Sequence, residues 1–130
     1  MINFELLAEP FAASEISWRV AREVKSGAGA QVLAYIENRA VMDRLDSVCG
    51  PQNWRNEYKE GPDGGILCGL SIKFDNEWIT KWDGADNSDI EAVKGGLSDS
   101  MKRSAVQWGI GRYLYNLPVM FVELKDKGQN

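Results

Sequence analysis

The chain of 130 residues contains no histidine. Without imidazole there is no Ser-His-Asp or Cys-His catalysis, no His-ligated metal and little general-base chemistry near neutral pH. Cysteine is scarce too. Cys49 and Cys68 make neither a disulfide framework nor a four-ligand zinc site, and they fit a reducing cytosol. No apolar run approaches the length of a membrane-spanning helix. The opening Met1-Ile2-Asn3-Phe4-Glu5 lacks the basic start of a secretory signal, so no export and no membrane partner are expected. Basic charge is also short, with 15 Lys and Arg against 19 Asp and Glu for a net charge of −4. A polyanionic partner would therefore have to be held by a local basic stripe. What is plentiful is aromatic surface: five Trp, four Tyr and four Phe. Length, a 44% hydrophobic share and a 26% charged share are those of one ordinary globular domain, 1–130.

Residues 1–15 show no clear period and read as an arm or a short helix. Ile16, Trp18, Val20 and Val24 then alternate as a strand, with Arg19 in the opposite phase. A flexible loop follows at residues 25–30, and residues 32–36 form another short strand. Val41, Met42, Leu45, Val48 and Cys49 share one helical face, with Asn38 as expected N-cap and Gly50-Pro51 as the stop. Trp54, Asn56 and Tyr58 begin a strand. Pro62-Asp63-Gly64-Gly65 is turn chemistry, and Ile66, Cys68, Leu70, Ile72 and Phe74 alternate without a break. After a turn at Asp75-Asn76-Glu77, the residues Trp78, Thr80 and Trp82 complete a three-stranded antiparallel meander.

The last large element is a helix. Ser88-Asp89-Ile90-Glu91 is a capping-box sequence, and Ile90, Val93, Leu97, Met101, Ala105 and Trp108 form an apolar stripe behind it. The Gly95-Gly96 pair within it costs about 2 kcal/mol relative to two alanines, and close packing of a neighbour is the expected reason. Gly109, Gly111 and Pro118 punctuate a final short helix, and residues 119–130 read as a tail.

Lys94, Ser98 and Lys102 lie on one line of this helix, with Arg103 beside it and Arg112 beyond its end. Such a stripe can neutralise phosphates; taken alone it reads more readily as a solvated face paired with acids. Trp54, Trp78, Trp82 and Trp108 could stack on bases, although three of the four are expected to be core. Asp83, Asp86 and Asp89 could serve a magnesium-dependent nuclease, but turn and capping chemistry explains them better. The spacing is wrong for a calcium loop, with Ser88 and Lys94 where Gly and Glu belong.

Two blocks carry a wider likeness. The first is Ile16-Ser17-Trp18-Arg19, then Tyr35-Ile36-Glu37-Asn38-Arg39, the helix ending at Gly50, and Trp54. The second is Trp82-Asp83-Gly84-Ala85-Asp86, Ala92-Val93-Lys94, Ser98-Asp99-Ser100-Met101-Lys102-Arg103 and Trp108-Gly109. In order and spacing, over residues 16–118, the chain resembles the Rad-fifty-two superfamily of single-strand annealing proteins, especially its bacteriophage recombinase members. The resemblance implies an α+β fold with a β-β-β-α core, in which a curved antiparallel sheet is crossed by a long helix. It also implies a protomer that assembles into a homo-oligomeric ring and holds single-stranded DNA by its backbone in a basic groove. No cofactor or ATP is implied. By the same resemblance Arg19, Tyr35, Lys102 and Arg103 match groove positions, and Lys94 a further basic one.

The chain also departs from the pattern. Val106 stands where eukaryotic members have another arginine, a role Arg112 is left to fill, and the turn at Asp63-Gly64-Gly65 lacks the lysine of a second, outer DNA site. The sequence ends at Asn130, without the C-terminal region through which larger members recruit partners. A phage exonuclease or a single-strand-binding protein stays open as a partner, and the bacterial host cytoplasm is the implied location. The expected activity is ATP-independent annealing in recombination and repair. A protective single-strand-binding module and the nuclease built on Asp83, Asp86 and Asp89 are the alternatives.

Overall fold

The unbroken alternation from Ile66 to Phe74 requires a strand covered on one side, and the computed structural model puts this strand at the centre of a sheet. The structure describes residues 2–23, 29–86, 92–117 and 120–123. Its elements are β1 (Ile16–Glu23), β2 (Gly29–Ile36), α1 (Asn38–Cys49), β3 (Trp54–Glu60), β4 (Ile66–Phe74), β5 (Glu77–Ala85), α2 (Ala92–Gln107) and β6 (Met120–Glu123). β3, β4 and β5 form the expected antiparallel meander, with Trp54 opposite Ile72 and Gly69 opposite Trp82. Cys68, Leu70 and Ile72 carry one face of β4 into a core shared with Val41 and Leu45 of α1 and Met101 and Ala105 of α2. The sheet and the helix that follows it are the β-β-β-α unit. On the opposite face Gly69 lies under the Trp82 ring, where an added Cβ would come within 2.7 Å. Beside it, Ser71 Oγ and Thr80 Oγ1 are 2.7 Å apart.

A second antiparallel sheet has the order β1-β2-β6. β2 starts at Gly29, earlier than the short strand expected from Val32 and inside the expected loop, while Val24 and most of that loop lie outside the described residues. β1 and β2 keep a regular register from Ile16 opposite Ile36 to Val20 opposite Val32, then shift between Val20 and Arg22. Within the expected tail, Met120–Glu123 form β6, which pairs Met120 with Val32 and Glu123 with Gly29. Four residues are too few for a periodic signal; the strand forms because the edge of β2 offers unpaired backbone groups.

The helix termini refine the sequence reading. Glu37, not Asn38, occupies the α1 N-cap, and it makes no capping side-chain bond. The Asn38 amide instead donates to Met101 Sδ at 3.3 Å, where Asn56 Nδ2 also donates at 3.2 Å. A sulfur acceptor on another helix has replaced the local cap. Gly50 closes α1 at φ +90°, its N–H bonded to the Asp46 carbonyl at 3.0 Å. α2 runs through Gly95-Gly96 without a break, and Gly96, Ser100, Met101, Ser104 and Ala105 are its buried positions. Small side chains let it approach β4 closely: Ser104 Oγ lies 2.7 Å from the Cys68 carbonyl and 3.0 Å from that of Ser100. The capping sequence Ser88-Asp89-Ile90-Glu91 lies outside the described residues.

The N-terminal segment belongs to the core. It forms 3-10 turns at Phe4–Ala8 and Ala13–Glu15, and Leu7 and Phe11 are buried. Arg44 of α1 clamps it, donating to the carbonyls of Leu6, Leu7, Glu9 and Pro10 and lying 4.0 Å over the Phe11 ring. No helix among the described residues is long and apolar enough to cross a membrane.

Candidate nucleic-acid interface

A cleft of about 1120 Å³ opens between the β1–β2 hairpin and α2. The turn around Pro62, the end of β5 and the chain after α2 complete its walls. In the register of β1 and β2, Ser17 faces Tyr35 and Arg19 faces Leu33, so Arg19, Leu33 and Tyr35 project from one face of the hairpin. Lys102 and Arg103 meet them from α2. Arg19, Tyr35, Lys102 and Arg103, more than eighty positions apart at the extremes, thus line one space. Lys102 Nζ sits 5.6 Å from the centre of the Tyr35 ring. Tyr35 and Lys102 are half-buried; Arg19 and Arg103 are exposed.

Lys102 and Arg103 each have an acidic neighbour. Lys102 Nζ is 3.7 Å from Asp99 Oδ1, and Arg103 Nε is 3.5 Å from Asp83 Oδ1. Among the described residues Asp63, Asp86 and Asp99 also line the cleft, three carboxylates against the three cations Arg19, Lys102 and Arg103. The described lining is therefore close to electrically balanced, in keeping with the acidic composition. Asp83 is the most tightly held of these acids. Desolvation pushes its carboxyl up, but donors from Gln107 Nε2 at 3.0 Å and the Gly84 N–H at 2.8 Å, with the Arg103 guanidinium, outweigh that and leave it below the usual aspartate value. Gln107 Nε2 also donates to the Trp82 carbonyl. Asp83 is thus a link between β5 and α2. Asp86 is exposed, Asp89 lies outside the described residues, and no group of three or more potential metal ligands occurs among the described residues.

Arg112 has a different role from that of a groove cation. Its guanidinium donates to the carbonyls of Val106 and Gln107, each at 3.0 Å, and so caps the C-terminus of α2. Lys81 adds a second cation there, with Nζ 3.1 Å from the Gln107 carbonyl. Arg112 does not line the cleft. The backbone of Lys94 is in α2; its side chain lies outside the described residues.

The four tryptophans weighed as stacking platforms are all engaged within the fold. Trp54 Nε1 donates to Asp46 at 2.7 Å and Trp108 Nε1 to the Leu70 carbonyl at 3.0 Å. Trp108 stacks on Phe4, Arg55 covers Trp78 at 4.1 Å, and Lys59 covers Trp82 at 4.5 Å. The exposed aromatics among the described residues are elsewhere: Trp18 on the outer face of β1, Tyr58 on β3 and Tyr115 at the cleft, 52%, 38% and 68% exposed. Sequence reasoning passed over Tyr115; its only signal is an aromatic residue in a glycine-bounded turn directly after the basic helix.

A family model described as Rad52/22 family double-strand break repair protein matches residues 4–64 and 63–130. The chain is 38% identical over 122 residues to a single-stranded DNA-binding protein DdrA of Deinococcus radiodurans, covering 92% of this chain and 58% of that protein. Against a protein of the same name in Deinococcus deserti, identity is again 38% over 122 residues, covering 92% and 60% respectively. The chain spans about three-fifths of the length of these relatives. Taken with the β-β-β-α unit and the cleft beside its helix, these matches make the chain a member of the Rad52/22 family of double-strand break repair proteins.

Proposed function

We propose that this chain binds single-stranded DNA in the cleft and promotes annealing of complementary strands, without catalysis or a nucleotide cofactor, as a cytoplasmic homo-oligomer. The observation that carries the reading is the convergence of Arg19, Tyr35, Lys102 and Arg103 on one space. The groups present suit a phosphodiester backbone: two guanidinium forks, an ammonium and one half-buried ring. Contacts to phosphate hold a strand without consuming its pairing edges, which annealing requires. Asp99 and Asp83 set the strength. An arriving phosphate takes Lys102 or Arg103 from a carboxylate already beside it, so each contact is an exchange of partners and the bound strand stays readily released. Oligomerisation would repeat the three cleft cations along one track and raise affinity through multiple contacts.

The test is the pairing rate of two complementary labelled oligonucleotides at low salt, without ATP or metal. Acceleration over the protein-free rate is expected. The Deinococcus relatives are named for binding alone, which favours a protective module as the second reading. Binding without acceleration would establish that reading in place of annealing.

A further inference from the structure

The chain after α2 is wound so that Tyr113 turns to the core while Leu114 and Tyr115 line the cleft. Arg112 to Asn116 form a 3-10 turn entered through Gly111 at φ +72°, and side chains in such a turn are spaced about 120° apart. The Tyr113 hydroxyl accepts from the Phe11 N–H at 2.9 Å, which anchors it to the core. Leu114 lies beside Gly111, against which Ile36 of β2 also packs. Tyr115 is left facing the cleft. Its side chain takes part in no hydrogen bond, ion pair or ring contact with another described residue, although it is a large ring on a well-anchored backbone. A smaller notch of about 130 Å³, lined by Tyr115, Val106, Arg103 and Asp83, adjoins it.

We infer that Tyr115 is a stacking platform for one nucleobase of the bound strand, turned into the notch beside Arg103. The inference rests on the DNA-binding reading above and adds a base contact to its phosphate contacts. Three observations carry it. Trp54, Trp78, Trp82 and Trp108 are engaged by Asp46, Arg55, Lys59 and Phe4, and Trp18, although 52% exposed, does not line the cleft. Tyr115 is the most exposed large apolar side chain among the described residues, and it stands next to a cation that can take the adjoining phosphate. Finally, stacking uses the π face of a base and is tolerant of sequence, so the hydrogen-bonding edge remains available for a complementary strand.

The test compares a labelled oligothymidylate with an abasic deoxyribose-phosphate strand of the same length, each titrated against wild type, Tyr115→Ala and Tyr115→Phe. Loss of one stacked base weakens binding roughly 5- to 150-fold. Tyr115→Ala should show a loss of that size on the oligothymidylate and none on the abasic strand, while Tyr115→Phe retains wild-type binding to both. Unchanged oligothymidylate affinity in Tyr115→Ala overturns the inference. So does an equal loss on both strands with an altered sedimentation coefficient, which would make Tyr115 a contact between protein copies. Failure of wild type to bind either strand is the distinct result that removes the DNA-binding reading itself, and this platform with it.

Discussion

Removing Lys102 and Arg103 together is the perturbation whose consequence the cleft geometry specifies most closely. Three cations line the cleft among the described residues, and of these Arg19 remains in the Lys102→Ala/Arg103→Ala variant. For single strands each neutralised phosphate contributes about 0.7 to the slope of log affinity against log salt. Three contacts correspond to a slope of about 2.1 per protomer, so raising salt from about 50 to 200 mM weakens wild type by about 18-fold. One contact leaves about 0.7, and the same change weakens the variant by only about 2.6-fold. The ratio of the two slopes, one third, does not depend on how many protomers share a strand. Affinity at low salt should fall further than the slope implies, because Asp99 and Asp83 lose their partners and then repel the backbone. Folding should be nearly unaffected, since partly exposed ion pairs of this kind contribute about 0 to 1 kcal/mol. Fluorescence anisotropy of a labelled oligonucleotide over a salt series, beside a thermal melt, measures both quantities. A variant slope equal to that of wild type, with the fold intact, would refute the assignment of phosphate contacts to α2.

Gly69→Ala should destabilise the protein by about 1 to 3 kcal/mol, because its Cβ would meet the Trp82 ring at 2.7 Å while Lys59 covers that ring. A denaturant midpoint equal to or above that of wild type would mean that the ring swings away freely. Burial pushes the Cys49 thiol up to about 11 and the Cys68 thiol above its usual value. Neither should react with a thiol reagent at about pH 8 until the protein unfolds; rapid native labelling of either would contradict the packed core. Asp83 is held below the usual aspartate value, so its ionised form contributes stability above about pH 4 that is lost as pH falls through the lowered native value. Stability of wild type should therefore decline more steeply below about pH 4 than that of Asp83→Asn; parallel acid limbs would show that Asp83 does not couple β5 to α2.

The elements that were legible in the sequence are those whose cause is local. β4 declares itself through five alternating apolar residues, α1 through its spacing and its Gly50-Pro51 stop, and the meander through two turn sequences. The family likeness, too, is carried by the order of short blocks along the chain. A cap is also a local feature, yet Asn38 does not serve as one, because its amide finds Met101, 63 positions away, and no spacing rule includes that sulfur. The same holds for β6, whose four residues become a strand only because β2 offers an open edge.

At the candidate site, residue types could be chosen from sequence while their employment could not. Arg103 and Arg112 both follow the helical stripe, but the fold turns one into the cleft and spends the other on the carbonyls of Val106 and Gln107. Trp82 and Tyr115 are both aromatic residues beside the same acids and cations. One ring is taken up by Gly69 and Lys59 across the sheet, and the other is left open by the winding of a single 3-10 turn. Periodicity determines which way a side chain points from its own element. What stands opposite it depends on how distant elements pack together, and only the tertiary structure contains that.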